Sequence, residues 1–134
     1  MGIRRKAREL ALKALYENEF NAEALSKITD RIQIEQRPEP DVMQFLQQLL
    51  TTYEQNRDHV NRTIEQHSSH WKLGRMASVD RNILRLGVTE IMYIAEVPKN
   101  VTINECLEIA KKYGTEDSSS FVNGILDKIT KTTT

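Results

Sequence analysis

Val79-Asp80-Arg81-Asn82-Ile83-Leu84-Arg85-Leu86-Gly87-Val88-Thr89-Glu90-Ile91-Met92-Tyr93-Ile94-Ala95-Glu96 is the stretch on which the fold turns. Its apolar residues are Val79, Ile83, Leu84, Leu86, Val88, Ile91, Met92, Ile94 and Ala95. They spread nearly all the way round a helical wheel and do not alternate as a half-buried strand would. A helix that is apolar on every side belongs in the middle of other helices. Ser78 is placed to cap its start, Asp80 puts an anion in the first turn where the helix dipole favours one, and Pro98 stops it.

Working outward, Thr102-Ile103-Asn104-Glu105 fits a capping box, with Val101 and Cys106 as its hydrophobic staple. The helix it opens runs to Tyr113, and Gly114 suits a left-handed C-terminal cap. After Thr115-Glu116-Asp117 a last helix carries Phe121, Val122, Ile125, Leu126 and Ile129, and the final threonines should fray. Upstream, residues 68–77 form a junction where Trp71, Leu73 and Met76 should anchor a short helix into the core. Asp41 is placed to cap a long helix reaching about residue 67, on Val42, Phe45, Leu46, Leu49, Leu50, Tyr53, Val60 and Ile64. Two prolines make Glu35 to Pro40 a loop. Leu25, Ile28, Ile32 and Ile34 mark a weaker helix over 22–34. Residues 3–20 read as a first helix with an alanine-rich stripe, Ile3, Ala7, Leu10, Ala11 and Ala14. Leu12, Tyr16 and Phe20 form a second stripe on its opposite side. Nothing alternates with period two. The expected fold is all-α, six to seven helices in two packed helical subdomains of about 1–68 and 69–134, forming one domain.

The chain has 134 residues, 39% of them hydrophobic and 28% charged, with five Gly and three Pro, as a helix-rich globular domain would. Cys106 is the only cysteine, so no internal disulfide can form, which is compatible with a reducing, cytoplasmic setting. No apolar run has the length of a membrane span, and the charged start is not followed by the apolar run of a signal peptide. Lys and Arg total 19 and Asp and Glu total 19, so the chain does not coat nucleic acid over its whole surface. It does concentrate charge. Arg4, Arg5, Lys6 and Arg8 fall within the first eight residues with no acid among them, and Lys13 follows. Arginine's planar fork suits phosphate. A solvated terminus and a polyanion site both remain open readings of this cluster alone. The Leu12–Tyr16–Phe20 stripe reads equally as core between helix layers or as a protein-docking face beside the basic cluster.

His59, His67 and His70 raise the question of a metal, but no acid or Cys stands at ligand spacing, so they read as surface histidines. Cys106 reads as a small buried hydrophobe. No phosphate-binding glycine loop, HExxH or GxSxG is present, so catalysis has no motif to rest on, and neither cofactor nor metal is expected.

Three segments resemble the NusB family of bacterial transcription antitermination factors. They are Arg4-Arg5-Lys6-Ala7-Arg8-Glu9 through Tyr16, Val79-Asp80-Arg81-Asn82-Ile83-Leu84-Arg85-Leu86-Gly87 through Glu90, and Val101 to Glu105 with Ala110 to Ser118 and Phe121 to Asp127. Order and spacing match over nearly the whole chain, with residues 22 to 68 adding only helix pattern. The resemblance implies binding to the boxA RNA of ribosomal RNA leaders jointly with ribosomal protein S10 (NusE). It also implies a transcription elongation complex with other Nus factors that resists termination. By position, Arg4, Arg5, Lys6 and Arg8 match the family's arginine-rich RNA-binding segment. Tyr113, Asp117, Ser120 and Phe121 match a second region near the RNA, Ser120 standing where the family often has a basic residue. Tyr16 and Asp80 match positions at the S10 interface, beside Leu12 of the same stripe. A NusB-like domain also occurs ahead of an RNA cytosine methyltransferase, but no cofactor-binding α/β pattern appears here, so a standalone factor is expected. The rival expectation is a helical interaction or homodimerisation module with no role in RNA binding.

Overall fold

A computed structural model describes residues 2–69 and 71–132. Among them are seven α-helices: α1 (Ile3–Asn21), α2 (Leu25–Gln36), α3 (Pro40–Gln55), α4 (Arg57–Gln66), α5 (Ser78–Tyr93), α6 (Lys99–Tyr113) and α7 (Ser118–Thr132). A single 3₁₀ turn, Leu73–Arg75, lies in the junction before α5. His70 and the last two threonines lie outside the described residues.

The apolar wheel is used within α5, but the helix ends at Tyr93, well before Pro98, and leaves Ile94 and the exposed Ala95 outside it. Ile83, Leu84, Leu86, Val88 and Ile91 are all buried, and the helix packs against α1, α3, α4, α6 and α7. Gly87 permits one of these crossings: a Cβ there would sit 3.0 Å from Leu126 and 3.1 Å from the Cys106 sulfur. The alanine stripe of α1 does similar work, with Ala7, Ala11 and Ala14 wholly buried where α1 meets α2, α3 and α5. The buried side chains of all these helices form a single hydrophobic cluster. By ordinary transfer values each large aliphatic side chain in it stabilises the fold by about 1.5–3 kcal/mol before entropy is counted.

Several local expectations are corrected. The long helix after Pro40 is two helices, parted at Asn56, whose backbone leaves helical geometry and whose Nδ2 donates to the Thr52 carbonyl. Asparagine competes for backbone acceptors in this way. The cap before that helix is Glu39, with Pro40 at its first position and Asp41 inside the first turn. Ser78 is likewise the first residue of α5 and not its cap, and its hydroxyl donates to Glu19. The capping box at Thr102 does not form, because α6 starts earlier, straight after Pro98. Proline's fixed φ already suits a helix entry. Thr102 then lies in the second turn, buried, and donates to Glu90, while Val101 stays exposed and forms no staple. Gly114 is extended (φ −94°, ψ −167°), so handedness does not require it. Space does: a Cβ there would come within 2.3 Å of the Ser118 hydroxyl and 2.8 Å of the Ala110 carbonyl. Finally, Trp71 is half-exposed with its ring edge-to-face to Phe121, so Met76 enters the core, with Leu73 packed partly buried against it.

Candidate nucleic-acid and protein interface

At about 100° per residue the basic segment cannot point all its cations the same way. Arg8 follows the buried face of Ala7 and Ala11 and is 2% exposed. Its Nε and Nη2 donate to the two carboxylate oxygens of Glu90 at 2.8 and 2.7 Å, and Glu90 is itself wholly buried. Thr102 donates to the same carboxylate at 3.1 Å, and the Arg8 guanidinium lies 5.5 Å from the Phe45 ring centre. Burial opposes the charge on Arg8, yet the Glu90 contacts outweigh it and keep the guanidinium protonated. Arg8 is therefore committed to the core, and the expectation that it meets phosphate is corrected. Glu90, among the apolar residues of the second half of α5, was the signal in the sequence, because a buried carboxylate needs a cation.

Arg5 is intermediate. Its Nε and Nη2 donate to Glu105 at 2.9 and 2.6 Å, but the side chain keeps 38% exposure. The hydrogen bond from Arg5 is the main reason the Glu105 carboxyl titrates below its usual range. Arg4 is exposed and lies with its guanidinium 5.4 Å over the Phe45 ring, and Lys6 is exposed with Glu39 at 3.9 Å. Arg4 and Lys6 thus carry the outward charge at the start of α1, and Arg5 can join them if Glu105 releases it.

Glu9 ties this segment to the end of α6. Its Oε1 accepts from the Tyr113 hydroxyl and from the Lys112 ammonium at 2.9 Å, and that ammonium lies 5.2 Å over the Tyr113 ring. Partial burial opposes ionisation of Glu9, but these two donors prevail and hold its carboxyl low. Next to them is an apolar cleft of about 270 Å³ lined by Glu9, Leu12, Lys13, Tyr16, Glu17, Val79 and Tyr113. Leu12 is buried at 6% exposure, so it belongs to the core and floors the cleft; it offers little surface of its own. The surface is supplied by Tyr16 and Phe20, 41% and 68% exposed, stacked with ring centres 5.0 Å apart. Asp80, in the first turn of α5, has a buried Oδ1 with no hydrogen-bond partner among the described residues. Asp117 and Ser120 are exposed at the start of α7, whereas Phe121 is half-buried with its ring 6.3 Å from that of Trp71.

One further cluster was not foreseen. Glu19, near the end of α1, accepts hydrogen bonds from Arg81, Arg85 and Ser78 of α5. Arg81 also donates to the Leu73 and Met76 carbonyls, fastening the junction. Burial would raise Glu19, but the arginines and Ser78 hold it down to about 2. Cys106, buried beside Glu90, has its thiol pushed far up by desolvation, as an inert core residue would. Of the histidines, His59 meets the Tyr93 hydroxyl and His67 the Thr63 carbonyl and Thr132, while His70 lies outside the described residues.

The model of the NusB family matches residues 5–131. The chain is 42% identical to the transcription antitermination protein NusB of Myxococcus xanthus, over 96% of this chain and 95% of that one. It is 46% identical to the protein of that name from Bdellovibrio bacteriovorus, with the same coverage. Its fold superposes on T. maritima NusB with a TM-score of 0.89 at 37% identity, covering 96% and 90% of the two chains. It superposes equally, at 0.89 with 27% identity and 98% coverage of each chain, on a chain in a crystal structure of the antitermination factors NusB and NusE in complex with dsRNA. With these matches running from the basic segment through α7, the chain belongs to the NusB family.

Proposed function

We propose that this protein is an RNA-binding transcription antitermination factor. It binds boxA RNA of ribosomal RNA leaders together with ribosomal protein S10 (NusE). In the cytoplasm, with the other Nus factors in the elongation complex, it helps RNA polymerase resist termination. The observation that carries this reading is the layout of α1. Its start shows outward cations at Arg4 and Lys6, and its later turns show the stacked rings of Tyr16 and Phe20, of which Tyr16 lines an apolar cleft. A phosphate chain is matched by the first surface and a protein by the second. Relatives named as antitermination proteins, and the similar chain solved with NusE and dsRNA, support the pairing.

In this reading Arg4 and Lys6 neutralise phosphates, with Arg5 joining them. Tyr113, at 37% exposure, stacks on a base. Asp117, Ser120 and Phe121 border the same strand, and Arg8 supports the segment from beneath. Tyr16, Phe20 and Asp80 meet S10 over the floor made by Leu12. We also propose that the chain is one NusB-like domain organised as two packed helical subdomains, residues up to about 68 and those beyond. The exposed Tyr16–Phe20 stack favours one alternative, a homodimer that buries this face without RNA.

The decisive experiment measures binding of a boxA-type RNA with and without S10 at two salt concentrations. About three neutralised phosphates give a log–log salt slope of roughly −2 for a single strand. Weak, salt-sensitive binding that tightens with S10 is expected. Affinity indifferent to both salt and S10 would overturn the reading.

A further inference from the structure

We infer that Glu9 is the residue that couples the two halves of this surface: its carboxylate occupies RNA-facing groups until the partner protein takes it over. The inference rests on the function proposed above and deepens it.

Glu9 lies on α1 between Lys6, one turn before it, and Lys13, one turn after, with its side chain mostly covered and 12% exposed. It lines two depressions at once. One is a groove of about 360 Å³ that includes Lys6, Lys13, Arg37 and Pro38, and the other is the apolar cleft of Tyr16, Val79 and Tyr113. A phosphate entering the groove meets Lys6, Lys13 and Arg37 together with two carboxylates, Glu39, which faces Lys6, and Glu9, which holds Lys112 from outside the groove. The Glu9 carboxylate already holds the Lys112 ammonium and the Tyr113 hydroxyl, both on Oε1. Its Oε2 accepts no hydrogen bond among the described residues, although a carboxylate has room for about four. A donor from a protein seated in the apolar cleft can take that open oxygen, draw the carboxylate away from the groove, and release Lys112 and the Tyr113 ring to the RNA. Each ligand then favours the same position of one side chain, which is the differential contact that coupling requires.

The test is Glu9→Gln, which keeps shape and removes charge, with RNA affinity measured alone and with saturating S10. Freeing one exposed ion pair is worth roughly a three- to fivefold change. Glu9→Gln should bind boxA-type RNA that much more tightly without S10, and the enhancement brought by S10 should shrink by the same factor. The gain should vanish in Glu9→Gln combined with Lys112→Ala. Tyr113→Phe, which keeps the ring and removes one bond to Glu9, should give a smaller gain in the same direction. A Glu9→Gln protein with unchanged RNA affinity and undiminished S10 enhancement overturns the inference while leaving the proposed function standing. Failure of the wild-type protein to bind RNA or S10 overturns both.

Discussion

Arg8 and Arg5 are three residues apart in one basic run, yet they do different work. Arg8 and Glu90 are a fully desolvated pair, satisfied by two direct bonds and by Thr102. Replacing a buried pair with apolar residues can be neutral, but removing one partner leaves a bare charge. Arg8→Ala should therefore cost about 3–5 kcal/mol in denaturant unfolding, because Glu90 is left unpaired. Arg4→Ala and Lys6→Ala should leave the melting temperature within a degree or two of wild type, roughly what a surface change brings, while weakening RNA binding. An Arg8→Ala protein as stable as wild type would contradict the role assigned to Glu90. The basic segment is thus two kinds of arginine, and only side-chain placement separates them.

At the scale of elements, α1 and α5 are joined at both ends. The alanine stripe sets their spacing, Arg8–Glu90 ties one end and Glu19 with Arg81 and Arg85 ties the other. The second tie depends on pH. Glu19 falls from its ordinary 4.5 to about 2 in the folded chain, so folding favours its ionised form. Its stabilisation is fully present above about pH 4.5 and is lost as pH falls towards 2. The lowered value corresponds to an upper figure of roughly 3 kcal/mol, which solvent screening of the partly exposed Glu19 reduces. Glu19→Gln should remove that share of the acid limb, so its unfolding free energy should vary less than wild type between pH 5 and pH 2, roughly the span the linkage covers. Parallel pH profiles for the two proteins would rule out this account. The same tie holds the Leu73–Met76 junction through Arg81, just before Val79, which lines the cleft with Tyr16.

For the whole molecule, zero formal net charge and the outward basic patch at the start of α1 lead to the expectation, under the proposed function, that RNA binding by the protein alone is weak and is strengthened by a partner. The protein-facing surface is displaced along α1 from the phosphate-facing one, so the two should separate by mutation. Tyr16→Asp should reduce S10 affinity about tenfold or more, as loss of an interface aromatic commonly does. RNA binding by the isolated protein should change far less. Calorimetric titration with S10 and anisotropy with RNA distinguish these outcomes, and equal losses in both would mean the two faces are not separate.

Periodicity and composition were enough to determine an all-helical chain, the burial of α5, the alanine face of α1 and the inert Cys106, because each follows from which side chains leave water. Spacing also marked the basic start and the aromatic stripe as surfaces of interest. It misplaced helix starts at Ser78 and Thr102, where a serine or threonine that looks like a cap forms a distant contact with Glu19 or Glu90. It likewise put Trp71 inside and read Gly114 by handedness, when contact with Ser118 is what excludes a side chain there. Tertiary structure alone decided that Arg8 is core, that Arg5 is held by Glu105, that Leu12 is floor, and that Glu9 joins two surfaces. The reason is physical: a helix's apolar period is local, but a charge's partner is set by which helix lies opposite, 82 residues away for Arg8 and 100 for Arg5.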